Sequence, residues 1–250
     1  MIKGTYQIAD TVFEIDSIHE SVHTICAGYS SSETPAFTVK TTQADIDFER
    51  EKSKKEDIRE GIPIRQFDDR YLETLAVYRK LCDILLRYDI LLYHGSVVAV
   101  DGKGYLFTAK SGTGKSTHTR LWREYFGARA VMINDDKPLI RITDTAVIVY
   151  GTPWNGKHHL STNTSVPLKA ICILNRGTEN EIHSISKQEA YPMLIQQTNR
   201  PADTAKMKTV LELIDKMCKH IGLYSLRCNM DPDAASTAFS GMNTEEIKWN

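Results

Sequence analysis

The run Ala109-Lys110-Ser111-Gly112-Thr113-Gly114-Lys115-Ser116-Thr117 constrains the fold of this chain more than any other stretch. It follows an apolar, strand-like segment, Gly104 to Thr108, and opens into a helix-like one, Thr117 to Phe126. A glycine-rich turn between a strand and a helix aims consecutive backbone N–H groups at one point. With the helix N-terminus behind them, those groups form a site for phosphate oxygens. Ser111, Gly112, Thr113, Gly114, Lys115, Ser116 and Thr117 are therefore the candidate phosphate-binding residues. Lys115 supplies a cation for the outer phosphates, and the Ser116 hydroxyl is a candidate magnesium ligand. Ala109 stands where such loops usually carry their first glycine, which is tolerable if its φ is negative.

The second feature is Asp135-Asp136, twenty residues after Lys115, at the end of the apolar run Ala130 to Ile133. Carboxylates at a strand end beside phosphates suit two tasks. One holds Mg²⁺ and the other accepts the proton of an attacking hydroxyl. Ser116 and Asp136 are the expected metal ligands, and Asp135 the expected proton acceptor. The competing reading is a surface turn, because Asn134-Asp135-Asp136-Lys137-Pro138 is rich in turn formers. His94-Gly95 lies just ahead of the strand pair that feeds the loop. A lone histidine after the apolar run Ile90 to Tyr93 is more often half-buried and structural than catalytic. The loop Gly151 to His159 gathers Lys157, His158 and His159 and carries Trp154, as candidates to meet an anionic substrate and line its pocket. Arg176 and Arg200 sit beside turn signals, and either is a candidate clamp.

Composition narrows the class. The chain has 250 residues, 41% apolar and 25% charged, with a net charge of −1. That balance is ordinary for a globular protein. No basic stripe marks a nucleic-acid partner, and no apolar run approaches the ~18 residues that span a bilayer. Met1 to Thr5 lacks the apolar core of a signal peptide. The five cysteines are far apart and form no C-x-x-C pair. They read as buried or free thiols in a cytoplasmic protein.

Residues 5–40 read as short strands, with Asp10-Thr11 as a hairpin turn, and 46–60 as a charged, solvated helix or loop. A long helix is expected from Tyr71, Leu75, Tyr78, Cys82 and Leu85. Strands at 90–100 and 105–108 flank the turn Asp101-Gly102. In the helix after the loop, Thr117, Leu121 and Tyr125 are expected on one face. Further strands fall at 130–133, 139–142, 146–150, 168–174 and 182–185, with helices around 207–221 and after Pro232. The strands cluster, so a mixed sheet is expected rather than a doubly wound parallel one. The organisation is a β-rich region, 1–65, and an α/β domain with α+β character, 66–250, or one continuous domain.

From His94-Gly95, across Ser111 to Ser116, to Asp135-Asp136, the sequence resembles the catalytic domain of HPr kinase/phosphorylase, of the phosphoenolpyruvate carboxykinase superfamily. It is also similar to smaller kinase-like relatives that modify peptides, several with a Pro-Trp-x-Gly loop like Pro153-Trp154-Asn155-Gly156. The resemblance implies a mixed-sheet P-loop kinase core and an ATP- and Mg²⁺-dependent transfer to a hydroxyl. It implies that Lys115 and Ser116 serve the phosphates and magnesium, that one of Asp135 and Asp136 is the base, and that His94 lies near the transferred phosphate. No segment resembles the one by which HPr kinase grips HPr. The expected acceptor is a hydroxyl-bearing small molecule or peptide, and a homo-oligomer stays open. The alternatives are a nucleotide-gated binding or scaffold protein and a carboxykinase- or phosphorylase-like enzyme.

Overall fold

The structure is a computed structural model that describes residues 1–244, and the chain divides into two compact units, 1–85 and 86–250. In the first, β1 (Ile2–Ile8) and β2 (Thr11–Ser17) form an antiparallel hairpin, and β3 (Thr38–Lys40) adds parallel to β2. The hairpin turns on Ala9 and Asp10, with φ of 50° and 53°. Thr11 already pairs with Ile8, one residue earlier than Asp10-Thr11 implied. Two positive φ angles in a two-residue loop match the right-handed twist of the flanking strands.

Three helices complete this unit: α1 (Ser21–Cys26), α2 (Gln43–Glu60) and α3 (Asp69–Leu85). A capping box of Thr42 and Asp45 starts α2, and Gly61 ends it at a φ of 68°. Helix α3 packs on α1, α2, β2 and β3, so it belongs with the first 68 residues. The region is thus mixed α/β, and its boundary falls at Leu85 rather than at 65. The buried side of α3 runs through Leu72, Ala76, Val77, Leu81 and Leu85, while Tyr71 is exposed.

Glu73 on α3 is fully buried and accepts from Thr41 Oγ1, from the N–H groups of Ile18 and His19, and from the His19 ring. Burial pushes its carboxyl up, and these four donors outweigh that and hold it below its ordinary value. A carboxylate whose folded pKa is depressed stabilises the fold above its unfolded pKa, and the benefit is lost as pH falls through the folded one. Glu73→Gln therefore costs about 2–3 kcal/mol at neutral pH. The gap to wild type begins to narrow below about pH 4.3, where the unfolded chain takes up protons, and closes only below the depressed folded pKa, where Glu73 is neutral too. Urea denaturation at pH 7 and pH 3.5 checks this.

The second unit is built on nine strands: β4 (Ile90–Leu92), β5 (Ser96–Val100), β6 (Lys103–Thr108), β7 (Ala130–Asn134), β8 (Leu139–Ile142), β9 (Val147–Tyr150), β10 (Ser165–Arg176), β11 (Glu181–Ser184) and β12 (Gly222–Cys228). The path runs β4-β8-β9-β10-β6-β5-β7, with β12 on β10 and β11 on β12. The long β10 joins two sheet regions. Its first residues, Ser165–Pro167, pair antiparallel with β9, and the rest lies parallel to both β6 and β12. The sheet is mixed, as the clustered strands implied.

Helices α4 (Lys115–Phe126) and α7 (Asp233–Asn243) pack on one sheet face, and α5 (Lys187–Gln196) and α6 (Thr204–Met217) supply the core on the other. Central strands buried on both faces split their side chains by parity. In β10, Ala170, Cys172 and Leu174 join the α4/α7 core, and Ile171 joins the α5/α6 core. In β6, Tyr105 and Phe107 point one way and Leu106 the other. Trp122 of α4 is fully buried against Tyr105, Phe107, Phe126 and Phe239. Truncating such a ring typically costs about 3–5 kcal/mol. The buried face of α4 is His118, Leu121, Trp122 and Phe126, whereas Tyr125 is exposed. All five cysteines are free thiols. Among the described residues no helix is long and apolar enough to cross a membrane.

Candidate functional site

Strand directions bring the site together. β5 runs antiparallel to both β6 and β7, so β6 and β7 point the same way. The glycine loop leaves β6, Asp135 and Asp136 leave β7, and His94-Gly95 enters β5, all at one sheet edge. The parallel β10 brings Arg176 to that edge too.

In the loop, Gly112 and Gly114 have φ of 74° and 120°, conformations that L side chains rarely adopt. Thr113 N–H closes a turn on the Lys110 carbonyl. Gly114 is the N-cap of α4, and no side chain caps the helix. The first-turn N–H groups of Lys115, Ser116 and Thr117 have no intrahelical acceptors. They face outward with the positive end of the helix dipole behind them. Ala109 is fully buried in the α4/α7 core and keeps a negative φ, so its methyl fits where a glycine was expected. Arg176 Nη2 donates to the Gly112 carbonyl at 2.6 Å, so this arginine meets the loop itself.

The two aspartates lie in different settings. Asp135 is buried, and its Oδ1 accepts from Ser96 Oγ at 2.7 Å. Ser96 Oγ is 2.9 Å from Thr119 Oγ1, on the first turns of α4. This relay holds Asp135 toward the helix that carries Ser116. Asp136 is half-buried, and its Oδ1 lies 3.3 Å from His94 Nε2 and its Oδ2 3.7 Å from Lys137 Nζ. Burial pushes the Asp136 carboxyl up. The His94 hydrogen bond, then the charges of Lys137, His94 and Lys115, outweigh that and hold it below the ordinary carboxylate range. Burial pushes the Lys115 ammonium below its ordinary value, against the pull of Asp136 and Asp135. Its Nζ reaches the Ala109 carbonyl at 3.4 Å. A desolvated lysine facing two carboxylates at a strand edge is an arrangement more common at functional sites than on plain surfaces.

Asp136 is the aspartate that faces His94, and Asp135 the one directed toward α4. β7 ends at Asn134, and the two carboxylates leave the bend that follows it toward different partners.

The Gly151 to His159 loop divides. Trp154 is 5% exposed, so it is packed inside rather than lining an open pocket. Lys157 and His158 are exposed. Gly156, at a φ of 71°, lies so near the acid pair that a Cβ there would be 3.0 Å from Asp136 Cβ. Gly156→Ala meets both a left-handed backbone and a blocked space, a cost of about 1–2 kcal/mol. A melting temperature lower by about 2–8 °C is expected by scanning calorimetry. Arg200 is exposed, and among the described residues it makes no hydrogen bond or ion pair with the loop or the acid pair, although the chain nearby, at Gln197, accepts from His94 N–H.

Ser96, Thr119, Asn134 and Thr152 escaped sequence reasoning. Hydroxyl and amide residues carry no motif when their partners lie 23 and 39 residues away, as Thr119 and Asp135 do from Ser96. Only Asn134, directly before the acid pair, gave a signal, as a turn former.

Fold and site define an α/β protein in which a glycine loop, a half-buried lysine and an acid pair share one edge of a mixed sheet. Residues 63–233 match the family model of the SynChlorMet cassette protein ScmC, and the chain belongs to that family. No curated protein matches the sequence. The solved structure of the Hpr(Ser) kinase/phosphatase from Coxiella burnetii aligns with 60% of this chain and 94% of its own at 9% identity. The TM-score is 0.31, too loose a likeness to bear on fold or chemistry.

Proposed function

We propose that this protein is an ATP- and Mg²⁺-dependent kinase that transfers the γ-phosphoryl group to a hydroxyl of a small molecule or peptide. The observation that carries this reading is the meeting, at one sheet edge, of an uncapped helix N-terminus with its lysine and a histidine-paired aspartate. The loop amides and the α4 N-terminus bind the phosphates, and Lys115 neutralises the outer ones. Asp136, oriented by His94, accepts the proton of the acceptor hydroxyl as its oxygen attacks the γ-phosphorus and the bond to the β-phosphate oxygen breaks, releasing ADP. Such transfer depends mainly on positioning and charge, with little base assistance. An aspartate that stays ionised suits it.

Magnesium fits the donor set. Ser116 offers a hydroxyl, and Asp135 offers a buried carboxylate that the Ser96–Thr119 relay turns toward α4. Among the described residues no three His, Cys, Asp or Glu side chains gather as a metal cage. Magnesium bound through one carboxylate plus nucleotide phosphates calls for none. When bound, the ion would supply charge stabilisation for the phosphates.

The test is calorimetric titration with Mg·ATP, followed by incubation with γ-labelled ATP and a panel of serine, threonine and tyrosine peptides, sugars and nucleosides. Binding with label transferred to a hydroxyl is the expected result. No binding at millimolar Mg·ATP overturns the proposal, and binding without transfer to any acceptor favours the nucleotide-gated alternative.

A further inference from the structure

Asn134 and Thr152 form a hub behind the acid pair. Asn134 is fully buried. Its Oδ1 accepts from the N–H groups of Asp136 at 2.9 Å and Lys137 at 2.7 Å. Its Nδ2 donates to the carbonyl and to the hydroxyl of Thr152, both at 3.0 Å. All four hydrogen-bonding positions of the amide are therefore used. Thr152, also fully buried, donates its hydroxyl to the Lys137 carbonyl at 2.9 Å. The two side chains thus clamp the Asp136-Lys137 turn from both sides and tie it to the strand exit that leads into the Gly156 loop. The Asp136 carbonyl accepts from Gly95 N–H at 3.0 Å, which links the same turn to His94.

A clamp this complete exceeds what an exposed turn needs. An Asx turn needs only the bond from the side-chain oxygen to the backbone N–H two residues on, and a wholly satisfied buried network fixes one geometry. We infer that Asn134 and Thr152 are positioning residues that set the Asp136 carboxylate against His94 and hold the 151–156 segment beside it, so that this segment and the aspartate move as one piece. The inference rests on the kinase reading for its catalytic consequence, but the positioning itself is a statement about geometry.

The experiment compares Thr152→Val, which keeps shape and removes the hydroxyl, with Thr152→Ser, which restores it. Three readouts are taken on the full chain: the melting temperature, the kcat and KM for γ-phosphate release from Mg·ATP with water as the acceptor, and the His94 imidazole ¹⁵N resonances, assigned with His94→Gln. The expected result for Thr152→Val is a kcat about 10- to 100-fold lower, as for a misplacement near 1 Å, with KM for ATP within twofold. Its His94 Nε2 resonance moves away from the wild-type position, and Thr152→Ser returns both values toward wild type. Unchanged kcat and an unchanged His94 resonance in Thr152→Val overturn the inference, whatever the melting temperature does. If that variant does not fold, Asn134→Asp carries the same expectation. It keeps the acceptor for the two amides and turns an oxygen toward the Thr152 carbonyl. If the wild type binds no Mg·ATP, the kinase reading falls and the His94 resonance alone decides the positioning.

Discussion

Lys115→Ala abolishes ATP turnover and weakens Mg·ATP binding. Lys115 is the first residue of α4, so on the proposed reading its ammonium and the free N–H groups of the first helical turn would act on the same phosphates. Burial strips water from the ammonium and pushes its pKa down, and Asp136 and Asp135 pull it back up. A nucleotide phosphate entering that place meets a cation already dehydrated and aimed, which saves reorganisation during transfer. Removing one such preorganised group typically costs about 10²–10³ in kcat. Lys115→Met, which keeps the apolar stem, separates the loss of charge from the loss of packing, because buried lysine stems contribute contact of their own. Both variants are expected to lose turnover to a similar degree. Turnover in Lys115→Met within threefold of wild type refutes the role given to this residue.

Where a single local segment determines an outcome, the sequence was readable. The strand–loop–helix unit at 104–126 needs only glycines at two positive-φ positions and an apolar run on each side, and it formed as expected. The Asp101-Gly102 hairpin, with φ of 51° and 76°, is equally local. Helix faces were less readable. Tyr71 and Tyr125 fit the spacing of an apolar face yet are exposed, because which side of a helix is covered depends on its neighbours. Strand β12 and helix α5 went unseen. Gly222 opens β12 and Pro192 lies inside α5, and both oppose the local signal that parallel pairing with β10 and packing on the core override. The different surroundings of Asp135 and Asp136 were also out of reach. They depend on Ser96 of β5 and His94 before it, which reach the acid pair only once β5 and β7 are paired.

Asp136→Asn keeps nucleotide binding and loses transfer, whereas Asp135→Asn raises the magnesium concentration that transfer requires. The isosteric change at Asp136 leaves its backbone bonds to Asn134 and Gly95 in place. The loop amides and Lys115 are untouched, so the dissociation constant of Mg·ATP stays within a few-fold of wild type. It tightens if it moves at all, since a negative charge near the phosphates has gone. The lost group is the acceptor of the hydroxyl proton and the partner that orients His94. Positioned acid–base groups contribute about 10²–10⁴ to rate. The lower end is expected here, because a carboxyl held below its ordinary value by His94, Lys137 and Lys115 is a weaker base than a free one and serves chiefly to aim the hydroxyl. A protein that used ATP only as a switch would be indifferent to the change at Asp136, so the pair of variants also separates the two classes of function. Calorimetric titration reads binding, and label from γ-labelled ATP reads transfer. Asp136→Asn with wild-type transfer, or Asp135→Asn with an unshifted magnesium requirement, removes the corresponding carboxylate from the proposed chemistry.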